Sequence, residues 1–359
     1  MGIRRLFASV AAIALLLVAA SPVGAEDHRP QHRGYVVTVL ATGPAPDADL
    51  VNGWGLSRSP TSPWWVADNG TDQSTLYTAN GTKLGLKVAI PGGAPTGTVF
   101  NPGAAAGDFH GDAFLFDGEA GLITGWRSAL GTTAEIGNAD FAGTAVYKGL
   151  AIGTADVGGG PAPYLYATDF HDRRIDIFDR TFAAQHWPGA FIDRRLPRGY
   201  APFGIQNLTT KAGSMLFVTY GKTQPGSNDE RSGPGLGIVD AFATNGRFLG
   251  RVATRGSLDA PWGLAMAPAD FGRFSGDLIV GNFGDGRLHA YHWDGEEWEQ
   301  AGALRAVDHR PIVIDGLWGI AFGGGINVAN NGAANTLFFA AGPNEEKGGS
   351  FGTITVTTP

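Results

Sequence analysis

Asn52 to Gly70 reads NGWGLSRSPTSPWWVADNG: a Trp-Gly-apolar opening, a proline-flanked turn, and a second apolar run that ends on Asp68 and Asn69. The opening recurs. A residue, then glycine, then an apolar residue or threonine stands at WGLS (Trp54), TGTV (Thr96), KGLA (Lys148), FGIQ (Phe203), WGLA (Trp262) and WGIA (Trp318). The glycines fall at 55, 97, 149, 204, 263 and 319, spaced 42 to 59 residues apart. A second apolar run follows each opening: WWVADNG, FLFDGEAG, LYATDFHDR, LFVTYGK, LIVGNFGDG and LFFAAGPNE. After a short turn comes a third: STLYTANG, GLITGW, RIDIFD, GIVDAF, GRLHAY and FGTITV.

Alternating apolar positions in short, turn-bounded runs mark β-strands, and no long amphipathic helix stands out. Four-stranded units repeated at this period define an all-β chain folded as a six-bladed β-propeller, residues 35–359 forming one domain. The last unit ends at FGTITV without room for a fourth strand, while Tyr35 to Ala41 (YVVTVLA) precedes the first unit unpaired. Pairing this N-terminal strand with the last blade closes the ring and removes an open edge. Two packed sandwiches would not require a six-fold repeat. On this reading the tryptophans of the opening stretch are wedges between facing blades, not a sugar-stacking platform.

Composition agrees with a chain of strands and tight turns. Glycine numbers 56 of 359 residues and charged residues only 16%, while hydrophobic residues reach 43%, enough for a large core. Cysteine is absent, which excludes disulfides, thiolate metal sites and a cysteine nucleophile. Residues 1–25 read as a signal peptide: Arg4 and Arg5, the apolar run Leu6 to Ala20, and the small-residue site Val23-Gly24-Ala25. Arg4-Arg5-Leu6-Phe7 loosely resembles a twin-arginine signal, but the ordinary secretory pattern is the stronger match. Residues 26–34 form a polar leader, and the mature chain is expected to be secreted or periplasmic with no transmembrane segment. Cleavage removes two arginines and no acid, taking the formal charge from −7 to −9. An acidic chain without a basic run is a poor partner for nucleic acid.

LYATDFHDRRIDIFD, Leu165 to Asp179, closely resembles the NHL repeat, with its strand, aspartate, turn, Arg-Ile and second strand ending in Phe-Asp. NGWGLSRSPTSPWWVADNG together with PTGTVFNP resembles a family of uncharacterised secreted bacterial propellers, over nearly the full mature chain. The second resemblance implies fold and export and supplies no activity. The NHL pattern lapses in blades four and six, where Tyr220 and Ala341 stand in place of an acid. NHL-like and related six-bladed propellers include calcium-dependent lactonases and hydrolases, and amidating lyases.

In a propeller, the loops leading into the inner strands and those joining strands two and three emerge on one face, around the channel mouth. Five of the six second-to-third loops carry a carboxylate near the turn. Asp68, Asp117, Asp169 and Asn344 are candidate calcium ligands, since calcium takes six to eight oxygen donors. The other reading of such residues is turn chemistry, in which Asp and Asn bond their own backbone two residues on. Asp68, Asp117 and Asp169 are read as equivalent repeat positions, which favours turn chemistry. Less repetitive residues are better functional candidates. His171 and Glu119 are assigned catalytic roles, and Asn52, Lys148, Lys222, Asn282, Asp285 and Glu345 ligand binding. Gly221 to Gly235, an insertion in blade four, is read as a mobile loop over the mouth, either a solvated loop or a lid. No HExxH or phosphate loop occurs. The absence of a recognisable catalytic constellation favours a binding or scaffold protein that uses this face for a small molecule, a glycan or an extracytoplasmic protein. A calcium-dependent hydrolase, lactonase or lyase at the channel mouth is the alternative, and a subunit of an extracytoplasmic assembly a third reading.

Overall fold

A computed structural model describes residues 34–357; residues 1–25, read as a signal peptide, and nearly all of the segment read as a leader lie outside them. The chain forms six antiparallel sheets arranged as a six-bladed β-propeller. The inner strand of each sheet carries the repeated opening. These strands are Gly53–Ser57, Pro95–Phe100, Tyr147–Asp156, Tyr200–Thr210, Pro261–Met266 and Leu317–Phe322. They contact one another in sequence order, and the last also contacts the first. In blade six the outermost strand is Tyr35–Gly43, which lies antiparallel to Gly349–Val356 from Tyr35↔Val356 to Gly43↔Gly349. Among the described residues no helix is long and apolar enough to cross a membrane.

The glycine of the opening is required for room. A methyl group on Gly55, Gly97, Gly149, Gly204, Gly263 or Gly319 would lie within 2.1–2.9 Å of backbone atoms in the following blade. Gly319 meets the Trp54 carbonyl oxygen, so this line of contacts returns to blade one. In all six blades the register between inner and second strands slips at or beside this glycine, a bulge that re-aims the preceding side chain.

That side chain points to the axis. Trp54 stacks on Trp318 with centroids 3.6 Å apart. It meets Trp262 edge-on at 6.1 Å and Phe203, from the opposite blade, at 6.5 Å. All four are at most 5% exposed. The reading of the tryptophans as wedges between blades is therefore corrected: Trp54, Trp262 and Trp318 fill the channel itself. The wedge role holds for the pair in the second strand. Successive residues of a strand face opposite ways, so Trp64 packs on Phe338 of blade six and Trp65 on Phe114 of blade two.

Candidate functional site: the top channel mouth

All six inner strands run in the same direction along the axis, and the mouth where they begin is called the top. Lys148, at the axial position of blade three, is 2% exposed. Its ammonium lies 5.1 Å from the Trp54 ring centroid and pairs with the Glu119 carboxylate of blade two. Its backbone carbonyl accepts the Trp262 indole N–H at 2.7 Å. Asn52 Oδ1 accepts the Trp318 indole N–H at 2.9 Å, while Asn52 Nδ2 donates to Asn69 Oδ1 at 3.2 Å. Asn69 Nδ2 in turn donates to Glu119 Oε2 at 3.4 Å. Of the residues singled out in the sequence, Asn52, Lys148 and Glu119 thus share one network above the aromatic plug.

Two further carboxylates face Lys148. Glu230 comes from the blade-four insertion, which is an ordered hairpin here: Glu230–Arg231 pairs with the end of Gly213–Thr223 through Lys222↔Arg231 and Thr223↔Glu230. Burial pushes the Glu230 carboxyl up to about 7, against the pull of Lys148. Glu346 comes from blade six, beside Asn52 and Lys148, and desolvation raises its carboxyl too. Both were missed in the sequence. The acids of the insertion were its only sign. For Glu346, the chain passes through three left-handed residues, Asn344, Glu345 and Glu346 (φ 59°, 56° and 65°), a path non-glycine residues rarely take.

The remaining candidates lie elsewhere. Glu345 is exposed at the tip of this turn and pairs with Lys347 at 2.9 Å. Asn344 donates its backbone N–H to Asp315 Oδ2. The Lys222 ammonium covers the Tyr200 ring at 4.8 Å and donates to the Arg198 carbonyl. His171 is exposed, its Nδ1 2.8 Å from Asn228 Oδ1 in the hairpin. Asn282 and Asp285 are bonded to each other at 3.0 Å, and Asp285 Oδ1 also accepts the Arg287 N–H, closing the turn between the second and third strands of blade five.

The three aspartates read as calcium ligands do not come together. Asp68 accepts the Thr75 hydroxyl at 2.6 Å, and Asp169 the N–H groups of Val146 and Asp172. Asp117 accepts the Gly97 N–H at 2.6 Å and the Thr96 hydroxyl at 2.8 Å. Nor are the three equivalent. The pairs Leu56↔Val66, Thr98↔Phe116 and Leu150↔Ala167 align Asp117 with Ala67 and Thr168, one residue before Asp68 and Asp169. Asp117 therefore faces the opposite side of its strand, where it secures the bulge. These residues, each committed to its own blade, do not fit a shared calcium.

The fold and this mouth define the class: a six-bladed propeller with its channel sealed by aromatic rings and its top lined by one lysine and several acids. No family model matches the sequence. The chain is 31% identical over 297 residues to the uncharacterized protein L690 of Acanthamoeba polyphaga mimivirus, covering 77% of this chain and 74% of that protein. It is 29% identical over 330 residues to the uncharacterized protein R648 of the same virus, covering 86% and 76%. The chain belongs to the family of these mimivirus proteins.

Among solved structures, a Bacteroides thetaiotaomicron protein of unknown function matches with a TM-score of 0.53 at 11% identity, over 90% of this chain and 76% of that one. The aldose sugar dehydrogenase of Escherichia coli matches at 0.51 and 12%, over 90% and 100%. The virginiamycin B lyase of Staphylococcus aureus matches at 0.50 and 14%, again over 90% and 100%. At these identities the likeness is one of fold.

Proposed function

We propose that the chain is an exported binding propeller that takes a small polar ligand in its top channel mouth. The observation that supports this reading is Lys148, a buried ammonium held by Glu119, with Glu230 and Glu346 brought toward it from two other blades. Burying an ion pair is costly, and an apolar residue of similar volume would serve packing alone at least as well. A ligand with hydroxyl or amine groups gives the pair a use, since this network offers both donors and acceptors above an apolar floor. Screening sugars, amino acids and hydroxy acids by tryptophan fluorescence and thermal shift tests the proposal. A ligand of this site is expected to bind about tenfold or more weakly to Glu230→Gln or Glu346→Gln. If every ligand found binds both variants as tightly as the parent chain, the top mouth is not the site.

A lyase or hydrolase at the same mouth is the second reading, favoured by Glu230. A carboxyl held near 7 beside a lysine ammonium is suited to give and take a proton at neutral pH. Turnover of this kind is expected to show a kcat/KM profile that breaks near pH 7 and loses that break in Glu230→Gln. Melting temperatures in EDTA and in added calcium are expected to agree, and a rise with calcium alone would restore the metal-dependent reading.

A further inference from the structure

The opposite end of the channel holds a cavity of about 390 Å³, on the far side of the aromatic plug. It is formed where the inner strands of blades one, two, three, four and six end. Its apolar wall includes Phe100, Ile152 and Phe322, and its polar groups include Arg58 and Gln206. Arg58 sets the chemistry. Its Nε and Nη2 donate to the Phe322 carbonyl at 3.1 and 3.0 Å, and Nη2 also donates to the Gly323 carbonyl at 2.9 Å. The guanidinium lies 5.5 Å from the Trp64 ring centroid. Nη1 has one long contact of 3.5 Å, to the Ser59 carbonyl. Among the described residues no carboxylate lies within ion-pair distance of Arg58.

A half-buried guanidinium without a counter-ion is unusual, because desolvated charges are normally paired. Here the carbonyls fix its plane and leave the Nη1 edge least engaged, an arrangement that suits an incoming carboxylate. The Gln206 side chain makes no hydrogen bond among the described residues and lines the same cavity. We infer that this bottom cavity is a second binding site, for a small organic carboxylate whose anionic head meets Arg58 and whose apolar body lies against Phe100, Ile152 and Phe322. This site is separate from the top mouth and does not depend on the reading given for it.

The test compares hexanoate with hexanol, which keeps the apolar body and lacks the charge, by calorimetry and thermal shift. Hexanoate is expected to bind and to raise the melting temperature, with hexanol at least about tenfold weaker. Ile152→Trp narrows the cavity from the blade-three side while keeping the Arg58 guanidinium, and is expected to abolish binding. Arg58→Lys keeps the charge but loses the fixed plane, and is expected to weaken hexanoate without weakening hexanol. Lys148→Met is expected to leave hexanoate binding intact. Equal binding of hexanol and hexanoate overturns the inference, as does no binding of either. Loss of binding in Lys148→Met with retention in Ile152→Trp places the anion at the top mouth and overturns it as well.

Discussion

At Gly204 an added methyl would lie 2.1 Å from the Trp262 carbonyl oxygen of blade five, and the position has no left-handed φ, so substitution is a question of room alone. Gly204→Ala is expected to cost roughly 1–3 kcal/mol in urea unfolding, as overpacking does elsewhere. Gly159→Ala, with nothing within 4 Å of the added atom, is expected to be neutral. Asp117 offers a second test. Burial pushes its carboxyl from an ordinary 3.8 up to about 6. The folded chain therefore holds this proton more tightly than the unfolded one. The stability so gained is complete below about pH 4 and is lost as pH rises through about 6. Asp117→Asn keeps an acceptor for the Gly97 N–H and removes the titration. Relative to the parent chain, the variant is expected to gain roughly 3 kcal/mol between pH 4 and pH 8 in chemical denaturation. The sequence showed an aspartate near each of these turns but not its side of the strand. FLFDG and WWVAD differ by one position, and only strand register reveals that this difference reverses the direction of the side chain.

At the level of elements, the second and third strands of every blade were legible because apolar alternation and turn residues agree there. The blade-four insertion was not. Its glycines and charges describe a mobile loop, yet two ladder pairs and the contact between His171 and Asn228 give it a fixed place. Tertiary contacts decide this, and composition carries no record of them. Replacing residues 224–229 with a short glycine turn is expected to leave the melting temperature nearly unchanged while weakening any ligand of the top mouth. Unchanged affinity would show that Glu230 is a bystander. The outer strand of blade six gives the converse expectation. Tyr35–Gly43 is laddered along Gly349–Val356, and the Tyr35 hydroxyl donates to the Phe271 carbonyl at 3.0 Å. A chain beginning after Gly43 is expected to melt lower by about 10 °C or more and to aggregate through its bared edge.

Across the whole molecule, the six-fold repeat was readable because glycine is the one residue that lets neighbouring inner strands approach so closely. Where the preceding side chains meet was not readable, since facing positions come from blades far apart in sequence. Trp54 and Phe203 touch across the axis although 149 positions separate their numbers. Contacts of this kind join blades one, three, four, five and six across the axis, unlike an open solenoid, whose repeats touch only their neighbours. Urea unfolding is therefore expected to be a single transition, coincident by tryptophan fluorescence and circular dichroism. Gly204→Ala is expected to lower its midpoint without splitting it. The seal of indole and phenyl rings at mid-channel also makes the molecule a partition rather than a pipe. Solutes on one side have no passage to the other, so the two ends can be addressed independently, and the heat of filling one is expected to be the same whether the other is full or vacant.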